Sequence, residues 1–358
     1  MRPELAETAF SFDGQAVAVG EVVLAALRWG EWVDLEREVR RGLACRHWAE
    51  RNGAAVPDGV LRPTLVAWRR ERRLLSAEEY QAWLVARDLT LEDMAAYLRR
   101  AVSRARVANG RPGGPSADRP DAPAPDPAEL AAAVFPEAIL SGRLKSWAER
   151  LARQAAADRA LRQLRVTAPG TVTEDEEALA AAARRAQLSG LGEVPTERLR
   201  HWAERVLALE RAWKQLVEYV ADGARIERSM SVHRLDWERL VWEEATFTRE
   251  DVALEAAVWV REEGMTLNAM AEQAGVACTA ATAYGDQAGE LAALLVGTRT
   301  GELLGPLATA AGWRLVQLRE RVAPTMADGE LLARASDELL EDALAPHLTG
   351  RVEWHAQL

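Results

Sequence analysis

Cysteine is scarce in this chain of 358 residues, and positive charge does not predominate. Cys45 and Cys278 are too few for a disulfide framework or for a structural zinc site made of cysteines, and they fit a reducing compartment. Acidic residues outnumber basic residues by 55 to 45. This balance argues against broad nucleic-acid binding, which depends on clustered positive charge, although a local basic patch stays open.

Long apolar runs are also missing. The longest, such as Leu291 to Val296, are far shorter than the roughly 20 residues that a membrane-spanning helix needs. The N-terminus has no charged segment followed by an apolar core, so no secretory signal is predicted. We therefore expect a cytoplasmic protein that has neither a membrane nor a nucleic acid as partner.

The common catalytic motifs are absent: there is no Gly-x-Ser-x-Gly elbow, P-loop, dinucleotide fingerprint or His-Glu-x-x-His. Cys45 and His47 are two positions apart, so on a helix they face different directions and do not form a nucleophile–base pair. His47 with Glu50, and His201 with Glu204, have a spacing that can bind metal, but no further carboxylates face them. We expect no metal and no cofactor, and the catalytic residues remain unknown.

Apolar residues make up 49% of the chain, enough for real cores and for two or three domains. Helical periodicity dominates the first two thirds, and strand alternation appears after Ser231. A segment rich in proline and glycine separates two helical regions and predicts an extended linker. The predicted parts are a helical region at 1–107, the linker at 108–127, a second helical region at 128–230, a small α/β domain at 231–323 and a terminal helix at 324–358.

Short-range signals predict individual elements. They are a hairpin over Phe10 to Val19, one helical stretch over Val22 to Arg51, capping boxes at Ser76 and Thr90, a helix beginning at Thr173, a strand over Leu235 to Phe247, strands on either side of Ala311-Gly312, a helix over Asp328 to Leu348 and a last strand at Arg351 to Trp354.

Tryptophan is unusually common, with 13 residues against four tyrosines and four phenylalanines. Its large flat ring is well suited to gripping peptides and proline rings. Trp202 and Trp213 follow the helical period and are predicted core residues. The less regular tryptophans, of which some are predicted to line a groove, are Trp29, Trp32, Trp68, Trp83 and Trp242.

Three motifs follow one another in the C-terminal third. Val232-His233-Arg234-Leu235 opens a predicted strand, and Thr266-Leu-Asn-Ala-Met-Ala-Glu-Gln-Ala-Gly275 predicts a helix. Gly301-Glu-Leu-Leu-Gly-Pro306 then precedes Gly312-Trp313-Arg314-Leu315-Val316. In these motifs the stretch from Ser231 to Val322 resembles a degenerate parvulin-type (PpiC-like) peptidyl-prolyl isomerase domain.

Other motifs extend the resemblance. Phe12-Asp13-Gly14-Gln15, Arg73-Leu-Leu-Ser-Ala-Glu-Glu79 and Trp83-Leu84 resemble the helical peptide-binding region of SurA-like chaperones. With His233-Arg-Leu-Asp-Trp237 and Arg351-Val-Glu-Trp354, the chain resembles the parvulin-related proteins encoded with ribosomally made peptide natural products. The resemblance implies an α+β fold: a mainly helical SurA-like body, with the terminal helix packed back on it, and a small parvulin-like α/β domain near the C-terminus.

The resemblance also implies a peptide-binding cleft. Two departures bear on its activity: the central loop is shortened to about Tyr284-Gly285-Asp286, and Arg314 stands where parvulins place a second histidine. Because a guanidinium is always charged, Arg314 favours a site that binds peptides over one that twists an X-Pro amide in an apolar pocket. The implied substrate-binding residues are His233, Cys278, Tyr284, Leu291, Leu295, Trp313 and Arg314.

The resulting hypothesis is a chaperone-like accessory protein whose partner is a peptide or unfolded-protein client, including a precursor peptide and its modifying enzymes. An active prolyl isomerase is the first alternative, and position 314 weakens it. A peptide-modifying enzyme with unrecognised catalytic residues is the second. A structural scaffold is the third.

Overall fold

The structure, a computed structural model, describes residues 5–108, 125–166, 194–355 and 358. Within these residues the chain is mainly helical and contains two small antiparallel sheets, so the expected α+β class is confirmed. The chain divides into unit 1, Met1–Leu216 with Ala343–Leu358, and unit 2, Val217–Asp342. Most of the predicted linker and the helix predicted from Thr173 lie outside the described residues.

Unit 1 begins with a hairpin and continues as helices. The elements that begin in it are β1 Thr8–Phe12, β2 Gln15–Ala18, α1 Val19–Arg28, α2 Glu31–Arg51, α3 Asp58–Glu71, α4 Ala77–Val85, α5 Leu91–Ala108, α6 Pro127–Leu140, α7 Arg143–Leu164, α8 Thr196–Val220 and the last strand β7 Val352–Trp354. The strand order of its sheet is β2-β1-β7, so the predicted hairpin and the predicted last strand are both confirmed and meet in one sheet.

Local signals set several helix ends in unit 1. Ser76 accepts a hydrogen bond from the Glu79 N–H at 3.0 Å, and the Glu79 carboxylate accepts one from the Ser76 N–H at 2.9 Å. This reciprocal pair is the predicted capping box, because it satisfies amides that the first turn of a helix leaves free. The single helical stretch predicted from Val22 to Arg51 is wrong, since Gly30 has a φ of 79° and separates α1 from α2.

Unit 2 surrounds a four-stranded antiparallel sheet of order β4-β3-β6-β5. Short 3-10 turns at Gly285–Gln287 and Gly289–Leu291 precede α12. The elements that begin in this unit are α9 Gly223–Val232, β3 Arg239–Phe247, α10 Glu250–Glu262, α11 Leu267–Gln273, β4 Cys278–Tyr284, α12 Ala292–Gly297, β5 Leu303–Thr309, β6 Gly312–Val322 and α13 Gly329–Leu348.

Each face of this sheet has its own apolar cluster. On one face Ala245, Phe247 and Leu315 pack with residues of α10 and α11. On the other face, called here the α12 face, Trp242 and Val316 pack with residues of α12 and the turn before it. The alternation of side chains along β3 and β6 assigns each residue of these strands to one of the two faces.

The strand predicted from Leu235 begins later than expected. Residues 233–236 form a turn in which the Trp237 N–H donates to the His233 carbonyl at 2.9 Å, and β3 starts at Arg239. The reason is tertiary: Trp237 is buried with Ile226 and Met230 of α9. Spacing within residues 233–237 alone does not distinguish this turn from a strand.

Candidate functional site

The predicted substrate-binding residues are distributed over three apolar clusters of unit 2. Leu291, Leu295 and Arg314 belong to the α12 face, Cys278 and Trp313 to the opposite face, and His233 and Tyr284 to a cluster formed by α9, α13 and the end of β4. The structure therefore places the first three on one face of the sheet and separates them from the other four.

Leu291 and Leu295 form part of the core below the α12 face. Leu295 is fully buried and Leu291 nearly so, and both pack with Val316. Around this core, Leu304 and Leu307 of β5 are only half-buried. A ligand on this face would therefore contact β5 and the strand ends rather than the two predicted leucines.

Arg314 is the charged residue of this face. Its side chain is 29% exposed and lies 3.8 Å from the Glu244 carboxylate of the neighbouring strand. Its Nε is buried and has no hydrogen-bond partner among the described residues. Because the guanidinium is partly exposed and its ion pair with Glu244 is long, Arg314 is suited to bind a carbonyl or carboxylate oxygen supplied by a ligand.

Glu244 is the residue of this site that the sequence analysis did not name. It accepts a long hydrogen bond from the Trp242 indole at 3.4 Å, in addition to its contact with Arg314. Strand alternation would have identified it, because Trp242, Glu244 and Thr246 fall on one face of β3.

Cys278 and Trp313 lie on the opposite face of the sheet. Cys278 pairs with Ala245, and Trp313 pairs with Phe247, in the cluster covered by α10 and α11. Burial, with a smaller effect of the Glu243 carboxylate, raises the pKa of the Cys278 thiol. The thiol is therefore protonated at neutral pH and is a poor nucleophile.

His233 is held by contacts within its own cluster. Its ring stacks on Trp237 at 4.7 Å, and its Nε2 lies 2.7 Å from the Glu338 carboxylate of α13. Asp236 is a weaker neighbour at 3.9 Å. This arrangement positions the ring as a link between α13 and the turn after α9.

The Tyr284 side chain is likewise held by contacts within the protein. Its hydroxyl donates to the Asp328 carboxylate at 3.1 Å, and Glu330 lies 3.5 Å away. Burial, the hydrogen bond from its hydroxyl to Asp328 and the charge of the two carboxylates raise the pKa of Tyr284 to about 12. Its hydroxyl is thus a fixed donor between β4 and α13.

The other groups singled out in the sequence lie in unit 1. Cys45 is buried, and burial raises the pKa of its thiol. His47 lies 3.2 Å from Glu129, while Glu50 pairs with Arg46. Among the described residues, histidine, cysteine, aspartate and glutamate nowhere gather in threes or more in a way that could hold a metal ion.

The irregular tryptophans separate by exposure. Trp29 and Trp83 are half-buried, and each lies under a guanidinium, Arg150 at 4.0 Å and Arg87 at 4.1 Å from the ring centroids. Those that are buried are Trp32, Trp68 and Trp242. In the part of the chain that the structure describes, no helix combines the length and the apolar character needed to cross a membrane.

Comparisons with known proteins add little. No family model matches the chain, and no curated protein matches it. Among solved structures, the crystal structure of PrsA from Bacillus subtilis is similar over 60% of this chain and 87% of that chain, with 13% sequence identity and a TM-score of 0.21. A likeness this remote carries no argument about function, so the function is argued from the residues.

Proposed function

We propose that this chain is a peptide-binding, chaperone-like accessory protein that handles a ribosomally made precursor peptide during natural-product maturation. The observation that carries the peptide-binding part is the α12 face, where the partly exposed, loosely paired guanidinium of Arg314 lies beside the half-buried Leu307. The link to natural-product maturation rests on the sequence resemblance alone.

The order of elements in unit 2 supports the parvulin-like part of this proposal. The resemblance implies a helix after the first strand and a second helix before the central loop, and unit 2 has this order. Three glycines of the third motif, Gly301, Gly305 and Gly312, have φ values of 86°, 101° and 131°. Glycine is the residue that adopts such angles readily, so the motif is explained by backbone turns and does not by itself require catalysis.

The chemistry of the α12 face favours binding over turnover. Isomerisation of an X-Pro bond needs the amide to twist in a desolvated apolar pocket. Arg314 instead places a permanent charge there, partly balanced by Glu244. A peptide that carries a carboxylate next to an apolar residue or proline satisfies both the guanidinium and the leucines of β5.

The test is a fluorescence titration of the tryptophans with short X-Pro peptides, run beside a prolyl-isomerisation assay. We expect binding without acceleration of isomerisation, and several-fold tighter binding for Glu-Pro than for Lys-Pro peptides, because charge-assisted hydrogen bonds are the stronger ones. Arg314→Gln should remove the preference for the acidic peptide.

The matched control is Arg319→Gln, which removes an arginine from the same strand. The Arg319 side chain pairs with Glu243, a residue on the other face of the sheet. This variant should keep the preference. Isomerisation that Arg314→Gln abolishes would instead establish the prolyl isomerase alternative. A change in peptide mass during incubation would indicate a modifying enzyme.

A further inference from the structure

Unit 1 contains a pocket of about 340 Å³. It is lined by residues at and just after the ends of α3 and α4, by the end of α6, by the first turn of α7 and by Leu358. We call it the basic pocket, because its cationic residues are Arg72, Arg73, Arg87 and Lys145. Glu71 is the acidic residue of the lining, and its side chain is mostly exposed 3.6 Å from Arg72. The pocket therefore has an excess of positive charge in a chain whose net charge is -10.

Arg87 is a partly buried cation of this pocket, and its Nη1 and Nη2 donate to the main-chain oxygens of Trp83 and Leu358. Burial lowers the pKa of Arg87 to about 10, which shows that desolvation outweighs the favourable contacts around it. Its Nε is buried and has no hydrogen-bond partner among the described residues. The guanidinium plane lies over the Trp83 ring at 4.1 Å, so its orientation is held before any ligand arrives.

The start of α7 adds to the positive potential. Gly142 is the N-cap residue, with a φ of 82° and no side chain to cap the helix, and the first turn contains no acidic residue. The free N–H groups and the helix dipole of this 22-residue helix therefore favour an anion at this position.

One main-chain oxygen already lies in the basic pocket. The Leu358 carbonyl oxygen accepts a hydrogen bond from Arg87 Nη2 at 2.6 Å, and Leu358 itself lines the pocket. Ile139 and Leu144 provide buried apolar neighbours in the same lining. The pocket is thus suited to an oxygen of the main chain that is carried by an aliphatic residue.

We propose that the basic pocket binds the terminal carboxylate of a peptide whose last residue is aliphatic, in the place that Leu358 takes in this structure. The proposal rests on the proposed function only in taking a peptide as the ligand. The two carboxylate oxygens accept hydrogen bonds from Nε and Nη2 of Arg87, while its Nη1 donates to the Trp83 carbonyl. The aliphatic side chain contacts the apolar wall.

The experiment is a calorimetric titration of the full chain with the peptide Ala-Ala-Leu. The peptide is used once with a free terminal carboxylate and once as the C-terminal amide. We expect the acid to bind about tenfold tighter, because hydrogen bonds to charged groups are the stronger ones. Arg87→Gln should abolish this difference. Arg73→Gln, which changes an exposed side chain, should reduce the difference in affinity between acid and amide. The helical circular-dichroism signal of this variant should stay unchanged.

Arg70→Gln is the matched control, since it removes one exposed charge from the last turn of α3, three residues before Arg73 and outside the basic pocket, and should keep the tenfold difference. Deletion of Leu358 should tighten binding of the acid several-fold, because it removes the main-chain oxygen that competes for Arg87. Three outcomes would overturn the proposal. They are equal binding of acid and amide, an acid preference that survives both Arg87→Gln and Arg73→Gln, and unchanged binding of the acid to the chain that lacks Leu358.

Two further arms separate the possible sources of the signal. Inorganic phosphate that displaces the acid peptide at equal concentration would show a general anion site and overturn the assignment to a peptide end.

Arg314→Gln should leave the difference between acid and amide intact. If that variant abolishes the difference, the peptide binds on the α12 face, and the basic pocket loses its assignment while the proposed function stands. The opposite result is also distinguishable. If the chain shows no preference for Glu-Pro peptides but Arg87→Gln still abolishes the difference between acid and amide, the basic pocket keeps its assignment and the α12 face loses its own.

Discussion

At the scale of single residues, Arg100 and Glu137 form a buried ion pair in unit 1. Two nitrogens of Arg100 donate to the same oxygen of Glu137, at 2.7 and 3.0 Å, and Arg104 lies 3.3 Å from the other oxygen. The side chains of Arg100 and Glu137 are 4% and 2% exposed. Charges removed from water this completely are stable only as long as they are paired.

We expect Glu137→Gln to lower the free energy of unfolding by about 3–5 kcal/mol, because it leaves Arg100 buried without a countercharge. Chemical denaturation followed by circular dichroism measures the change. The control on the same helix is Glu129→Gln: Glu129 pairs with Arg46 and His47, its side chain is 30% exposed, and its loss should cost about 1 kcal/mol at most. Similar losses for both variants would contradict the argument.

Two neighbouring residues, Arg314 and Trp313, show what a sequence motif predicts and what it does not. Arg314 was identified from its place in a motif, and the structure gives it an ion-pair partner and a buried Nε. Trp313, its neighbour in sequence, points to the opposite face. Sequence reasoning grouped the two because it identified the motif but not the register of β6 against β3.

At the scale of elements, the turn between β5 and β6 depends on Gly312. Its φ is 131°, and a Cβ at this position would lie 2.2 Å from the Phe247 carbonyl oxygen of the adjacent strand. Both the backbone angle and the close approach of β3 therefore require glycine.

We expect Gly312→Ala to destabilise unit 2 by about 2 kcal/mol or more, because either the turn or the end of β3 must move. Thermal unfolding followed by tryptophan fluorescence would report the loss. Gly297→Ala is the matched control in the same unit: its φ is not positive, and no atom lies within 4 Å of its ideal Cβ. Equal midpoints for the two variants would show that the turn tolerates a side chain.

Elements differ in how well local signals predict them. The capping boxes at Ser76 and Thr90 were predicted and are present, because their hydrogen bonds join residues three apart. The strand expected to open at His233 is a turn, since Trp237 is buried against α9. Local patterns determine elements whose stabilising contacts are local, and they fail where a distant neighbour decides.

At the scale of the whole molecule, the two ends of the described chain meet in one sheet. Phe10 pairs with Trp354, and their ring centroids are 5.4 Å apart. The His355 N–H donates to the Ala9 carbonyl at 3.1 Å, and the Asp13 N–H donates to the Arg351 carbonyl at 3.0 Å. These bonds close unit 1 over almost the full length of the sequence.

We expect His355→Pro to destabilise unit 1 by about 1 kcal/mol or more, because proline removes the N–H that donates to Ala9. His355→Ala is the control: it keeps the N–H and loses only the 3.2 Å contact with Ser11. Hydrogen exchange of the Asp13 amide should become faster in the proline variant than in the alanine variant. Unchanged exchange in both would contradict a structural role for β7.

The amino-acid sequence by itself determined the helical character of the first two thirds, the hairpin around Asp13-Gly14, the capping boxes and the strands around Gly312. These features follow from the spacing of apolar residues and from hydrogen bonds between near neighbours, so a window of a few residues contains the information.

Only the tertiary structure decided which of these residues meet. It separated Arg314 from Cys278 and His233, paired Arg314 with Glu244, and joined Arg87 to Leu358, which lies 271 positions away. Such contacts depend on strand register and on the packing of distant helices, and a shift of one residue along a strand moves a side chain to the other face. For this reason the motifs predicted the elements, whereas the α12 face and the basic pocket became visible only in the folded chain.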